Sequence, residues 1–201
     1  MKIEPREILK MGNPLLRQIS EPVDEFNEQE IRDLIELMRV SMVAANGVGL
    51  AAPQIGVLKR VVIFEVPAAR ISEEDGEISA NGGVPQTVLI NPKVTPLTEE
   101  KVLGWEGCLS VPGLRGLVPR YTRIKYEGLT LDNASLAGGG ELQIQKISRD
   151  VSGFHARVVQ HEVDHLDGVL YPERMTDIRQ LIFQTELPSF IRALDEQAER
   201  K

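Results

Sequence analysis

Residues 161–165 read His-Glu-Val-Asp-His, and no other stretch restricts the fold as much. In an α-helix, residues four apart lie one above the other, so His161 and His165 present two imidazoles to one point in space. Glu162 is rotated from His161 by roughly 100°. It is poorly placed to share the same ion and well placed to touch a water beside it. The five residues therefore call for a helix, a divalent metal held by His161 and His165, and Glu162 as general base. The plainer alternative makes both histidines structural, with Glu162 and Asp164 on a solvated face. The metal reading demands more of the fold: a third ligand brought in from elsewhere.

The whole chain narrows the setting. At 201 residues it suits one domain, 1–201, with a substantial core. The formal net charge of −7 argues against a protein held to nucleic acid by electrostatics. No apolar run reaches the length of a membrane span, and the charged first ten residues lack the apolar stretch of a secretory signal. A cytoplasmic protein of a bacterium is expected, although a mature organellar form is also compatible. Cys108 is the single cysteine, so no intramolecular disulfide forms. That leaves an inert buried thiol, a reactive thiol or a metal ligand.

Segments 28–45 and 60–66 carry the clearest local signals. The first has apolar residues at Ile31, Leu34, Ile35, Met38 and Met42, a helical spacing with acids early. The second, Arg-Val-Val-Ile-Phe-Glu-Val, predicts a buried strand. Residues 68–86 are polar and acidic, an expected surface insertion. Short strands are predicted at 87–90 and 93–97, broken by Pro92, and at 117–118 and 122–126. Segments 129–131 and 142–147 flank Gly138-Gly139-Gly140 and are expected to pair. The metal-motif helix is placed at 154–167. The C-terminal segment 176–201 is expected to form two helical pieces, 176–186 and 189–200, on either side of Pro188. Strands first and key helices late predict a single-domain α+β fold: mixed or antiparallel sheets around a central metal-binding helix, with N- and C-terminal helices.

Two residues compete as third ligand. Glu186 lies 21 residues after His165, a spacing seen in H-E-x-x-H proteases with a His₂Glu site. Cys108 lies in Trp105-Glu106-Gly107-Cys108-Leu109-Ser110, a glycine-flanked loop. A Cys/His/His set leaves one tetrahedral position open, as a catalytic site requires. A third segment, Gly47-Val48-Gly49-Leu50-Ala51-Ala52-Pro53-Gln54, lacks the ending of a phosphate loop. Its small residues permit close backbone approach, and Gln54 supplies a neutral amide donor for a carbonyl oxygen.

Together these three segments resemble the signature blocks of the peptide deformylase family: G-x-G-x-A-A-x-Q, E-G-C-x-S and H-E-x-x-H. They occur here at 47–54, 106–110 and 161–165, in that order, with no departure at a defining position. The similarity runs from about residue 7 to about residue 175. The resemblance implies metal ligation by Cys108, His161 and His165, with Glu162 as catalytic acid and base. It implies an oxyanion site from the Gln54 side chain and the Leu109 N–H, and substrate binding by the backbone of Gly49. It further implies one divalent ion, Fe²⁺ with Zn²⁺, Ni²⁺ or Co²⁺ accepted. The implied substrates are N-formylmethionyl nascent peptides, met near the ribosome.

Val48, Phe154 and Val158 are candidates for an apolar slot beside the metal, with ordinary core packing as the alternative. Arg115 and Arg120 are candidates for contacting substrate carbonyls or for partnering Asp164, with a solvated surface position as the alternative. His155 is off the helical phase of the two ligating histidines. After Pro172 six acids stand against five bases, so that tail is no polybasic patch. Two rival readings remain open on the residues alone: an H-E-x-x-H endopeptidase using Glu186, and a metal-binding module without catalysis.

Overall fold

The computed structural model describes residues 3–24, 27–66, 68, 83–132 and 142–199. Helix α1 (Glu28–Ala44) starts where Asn27 accepts hydrogen bonds from the N–H groups of Gln29 and Glu30, satisfying two donors that the first turn leaves free. The strands follow as β1 (Gly49–Ala51), β2 (Val61–Val66), β3 (Val84–Pro96), β4 (Lys101–Cys108), β5 (Val111–Tyr121), β6 (Arg123–Leu131) and β7 (Ile144–Ser152). Helix α2 (Gly153–Leu166), the two-residue strand β8 (Ile182–Phe183) and helix α3 (Leu187–Glu199) complete the order. One sheet has the order β1-β2-β3-β6-β7 and the other β4-β5-β8, with every neighbouring pair antiparallel. This is the expected α+β fold.

The unbroken apolar run of β2 has a structural cause: the larger sheet is covered on both faces. Val61, Ile63, Val88 and Ile90 pack with Ile31, Ile35, Met38 and Met42 of α1. Val62, Phe64, Leu89 and Tyr126 pack with Val159, Val163 and Leu166 of α2. Truncating one of these aliphatic side chains to alanine costs about 2–5 kcal/mol. The metal-motif helix is thus clamped to a sheet that α1 backs from the far side.

Four local expectations change. The strands predicted at 87–90 and 93–97 are one strand, β3, whose ladder to β6 shifts register between Ile90 and Lys93. Pro92 cannot donate to the ladder, and Asn91 takes up the irregularity at φ 50° while its amide exchanges hydrogen bonds with the Val23 backbone. Strand β3 claims residues 84–86 of the expected insertion; 69–82 lie outside the described residues, as do the three glycines at 138–140. Their flanks do pair, Leu131 with Ile144. Segment 176–186 is not a helix: it forms β8 between 3₁₀ turns, because Ile182 and Phe183 find an open edge at Arg115 and Leu114 of β5. Pro188 does not separate two helices, since it sits in the first turn of α3, where its missing N–H costs nothing. Strand β4 escaped prediction because Val102 and Leu103 are exposed and break any apolar alternation.

Candidate metal centre and active site

Three elements deliver the candidate residues to one cavity of about 490 Å³. Strand β4 ends in a tight turn into β5, with Cys108 opposite Val111, and the register shift between Glu106 and Cys108 turns the thiol toward α2. Helix α2 supplies the two imidazoles, with ring centroids 5.1 Å apart. The Sγ of Cys108 lies 3.3 Å from His165 Nε2, and one donor atom from each of Cys108, His161 and His165 falls within 4.8 Å of the others. A tetrahedral zinc-type centre separates sulfur and nitrogen donors by about 3.5 Å. The Cys108–His165 distance matches that spacing, and all three donors lie close enough together to share one divalent ion.

The electrostatics favour the same use. Burial opposes ionisation of Cys108, yet the neighbouring His165 and His161 imidazoles hold its thiol well below the ordinary value, in the thiolate form that binds metal. Glu106 accepts from His161 Nδ1 at 2.8 Å, which fixes the tautomer and leaves Nε2 free for the ion. Burial works against a charged His161, but Cys108 and Glu106 raise its pKa well above the ordinary value, so an arriving ion must displace a proton.

Glu162 stands apart from this pairing. Its Oε1 lies over Gly49, where an added Cβ would come within 2.3 Å of it. Its Oε2 is buried and has no hydrogen-bond partner among the described residues. Burial pushes the carboxyl up to about 7, against the pull of His161 and His165. A carboxyl near neutrality with an unpartnered oxygen in a cavity is suited to taking and returning a proton.

The Gln54 side chain is oriented by its own neighbours. Its Oε1 accepts from the Ala51 N–H at 2.8 Å, which points Nε2 toward Ser110 Oγ at 3.1 Å and Cys108 Sγ at 3.5 Å. An amide donor is thus held beside the thiolate, at the edge of the metal position. The expected Val48, Gly49, Leu109, Phe154, Val158 and Arg115 all line the cavity. Arg115 lies flat on Gly107, where a Cβ would meet its guanidinium at 2.5 Å.

Behind the histidines runs a buried charge network that the sequence only hinted at. Arg120, expected as a partner of Asp164, donates Nη1 to Asp164 Oδ2 at 2.6 Å and two further bonds to Glu106, at 2.9 and 3.0 Å. Arg174 grips the same Asp164 with bonds of 2.7 and 3.1 Å. Arg157 joins Glu106 at 2.9 Å and the Val118 carbonyl at 2.9 Å, and the flat side of Gly104 receives its guanidinium. Burial opposes charge on Glu106, but His161 and Arg120 drive its pKa far below the carboxylate range. Sequence reasoning missed Glu106 and Arg157; the position of Glu106 inside the cysteine block was the available signal. It also missed Tyr171, whose ring stacks on His161 at a centroid distance of 6.2 Å.

Glu186, the competing candidate for third ligand, does not join the cluster. The turn that carries it sends Gln184 to the cavity, and Glu186 is neither a lining residue nor part of the donor cluster. His155 points the opposite way, between the rings of Phe64 and Tyr126, where burial lowers its pKa to about 4.

An α+β fold that gathers a thiolate, two imidazoles and a near-neutral carboxyl in one cluster beside a cavity defines a class, the metal-dependent hydrolases. Comparison with known proteins names the family. Residues 5–181 match the polypeptide deformylase family, and the chain belongs to it. It is 51% identical over 174 residues to peptide deformylase 1 of Nitrosomonas europaea, covering 87% of this chain and 89% of that one. It is 50% identical over 171 residues to peptide deformylase 1 of Bordetella pertussis, covering 85% and 88%. Among solved structures, a Met-Ala-Ser-bound class I type b peptide deformylase from Acinetobacter baumannii superposes with a TM-score of 0.69 at 34% identity, covering 87% of this chain and all of that one. An actinonin-bound form of that enzyme gives 0.65 at 34% identity, covering 86% and 99%.

Proposed function

We propose that this protein is a metal-dependent amidohydrolase that removes the formyl group from N-formylmethionyl peptides, with Cys108, His161 and His165 as ligands and Glu162 as proton carrier. The observation that carries the assignment of Glu162 is its buried, unpartnered Oε2 beside the Cys/His/His cluster. A divalent ion, once bound, supplies Lewis acidity: it acidifies water and polarises the formyl oxygen. Everything else is done by the chain.

Glu162 takes a proton from the attacking water as its oxygen bonds to the formyl carbon. Gln54 Nε2 and the Leu109 N–H receive the negative charge that develops on the formyl oxygen. The same Glu162 returns the proton to the amide nitrogen as the carbon–nitrogen bond breaks. The products are a free methionyl amine and formic acid, which releases its remaining proton to become formate, so atoms and charge balance. Val48, Phe154 and Val158 accept the methionine side chain, while the Gly49 backbone and Arg115 hold the peptide. The acceptor is therefore the end of a chain, and formylated nascent peptides near the ribosome, in the cytoplasm of a bacterium, are the substrates.

Fe²⁺ is the proposed native ion, with Zn²⁺, Ni²⁺ and Co²⁺ as substitutes, since a Cys/His/His set suits all four. Metal analysis of protein purified without oxygen checks this. The reaction is tested by formate release from a formyl-Met peptide, with the unformylated peptide as control for endopeptidase cleavage. Glu162→Ala is expected to keep the ion and lose turnover; normal turnover with the ion bound removes Glu162 from the mechanism.

A further inference from the structure

A second cleft, of about 420 Å³, lies on the other side of α2 and shares no lining residue with the metal-centre cavity. Its charge is unlike that of the chain. Arg60, Lys93, Lys101, Arg120 and Arg174 line it, against the carboxylates of Asp164 and Asp167 alone. A chain of net charge −7 thus concentrates five cations and two acids in one concavity. Low-dielectric walls focus such a field on whatever enters.

Not all of this charge is neutralised locally. Arg120 is committed to Glu106 and Asp164. Arg174 gives Nε and Nη2 to Asp164, and Arg60 gives Nη1 to Asp167 and the Leu166 carbonyl. Arg174 Nη1 and Arg60 Nη2 make no hydrogen bond among the described residues. Nor does Lys93 or Lys101 pair with a described carboxylate. Glu127 faces Lys93 across the β3–β6 ladder without an ion pair, and Glu100 is held by Thr122. Lys101 Nζ instead sits 4.4 Å from the centre of the Tyr121 ring, so its charge stays available at the mouth. Pro92, Pro96 and Pro119 stiffen the walls.

We propose that this cleft is a binding site for a small phosphate-bearing anion. Its volume suits a small molecule rather than a lone halide. Two free ammonium groups and the spare edges of two guanidiniums match the oxygens of a phosphate. The phosphate comes either from inorganic phosphate or from a nucleotide.

Calorimetric titration of the metal-loaded enzyme with inorganic phosphate and, separately, with ATP tests this. Saturable binding with Kd below about 10 mM is expected for one of them. Lys93→Gln combined with Lys101→Gln should weaken it at least about tenfold, or about 1.4 kcal/mol, and leave formate release unchanged. Phosphate binding at least as tightly as ATP identifies a free-phosphate site; binding by ATP alone identifies a nucleotide site. Backbone amide spectra locate the ligand independently of the variant: shifts should centre on Tyr121, Gln160 and Asp167. Absence of saturable binding, equal binding by the double variant, or shifts centred on Gly49 and Leu109 overturns the proposal.

Discussion

Gly49→Ala separates positioning of Glu162 from assembly of the metal site. An ideal Cβ on Gly49 lies 2.3 Å from Glu162 Oε1, 2.7 Å from its Cδ and 2.9 Å from its Cγ. Ordinary contacts of this kind begin near 3.4 Å. The carboxyl must therefore retreat by about 1 Å, and it sits on a helix packed into the core. A misplacement of that size costs about 10²-fold in rate, or about 2.7 kcal/mol in the barrier. The three atoms nearest that Cβ all belong to Glu162 and none to a proposed ligand, so metal content should hold. The assay is kcat for formate release alongside metal stoichiometry and a thermal melt. Gly56→Ala is the control: it places alanine at φ 79° with nothing closer than 4.0 Å, so it should cost about 1 kcal/mol of stability without affecting kcat. A Gly49→Ala enzyme with kcat near wild type, or one that loses metal in step with activity, refutes the reasoning.

Three further outcomes are expected. Glu106→Gln removes the charge that Arg120, Arg157 and His161 share; metal affinity should fall about 10–100-fold in a chelator competition, and unchanged affinity would deny Glu106 its orienting role. Gln54→Ala should lower kcat by about 10²–10³ while metal content stays constant; a change confined to KM would move Gln54 from oxyanion binding to ground-state binding. In chelator-treated protein, burial gives Glu162 a folded pKa of about 7 against the ordinary 4.5, so the folded state holds the proton more tightly. Stability is therefore greatest below pH 4.5 and falls as pH rises toward 7, by about 3 kcal/mol from this group. Denaturant melts of wild type and Glu162→Gln at both ends of that window should differ by this amount, and parallel pH slopes would contradict it.

The residues proposed to do chemistry are readable because each sits in a short pattern with its own mechanics. His161, Glu162 and His165 declare themselves by helical spacing, Cys108 by being the only thiol between glycines, and Gln54 by closing a small-residue loop. The supporting residues were not readable, because their partners are distant in the chain. Glu106 meets His161 from 55 positions away and Arg120 meets Asp164 from 44. No local period records such pairs. The same limit explains the fold errors. Ile182 and Phe183 look helical until β5 offers an edge, and Pro92 looks like a strand end until Asn91 absorbs the bulge. Tertiary pairing decides both.

Helix α2 gathers these levels into one object, because its turn of about 100° per residue sorts eleven of its fourteen residues into three faces. Phe154, Val158, His161, Glu162 and His165 fall on one face, and all but His165 line the metal-centre cavity. Ala156, Val159, Val163 and Leu166 fall on a second and join the core against the larger sheet. Gln160 and Asp164 fall on the third and bind the Tyr121 backbone and Arg120. An amphipathic helix needs only two faces. The third ties α2 to β5 through charge rather than through apolar contact, and Arg120 carries that tie onward to Glu106 and so back to His161 on the first face. The helix is thus held from behind by the same buried carboxylate that sets the tautomer of His161. Apolar packing alone would fix the helix axis but not the rotation of the His161 ring, and it is the rotation that aims Nε2 toward the proposed ion.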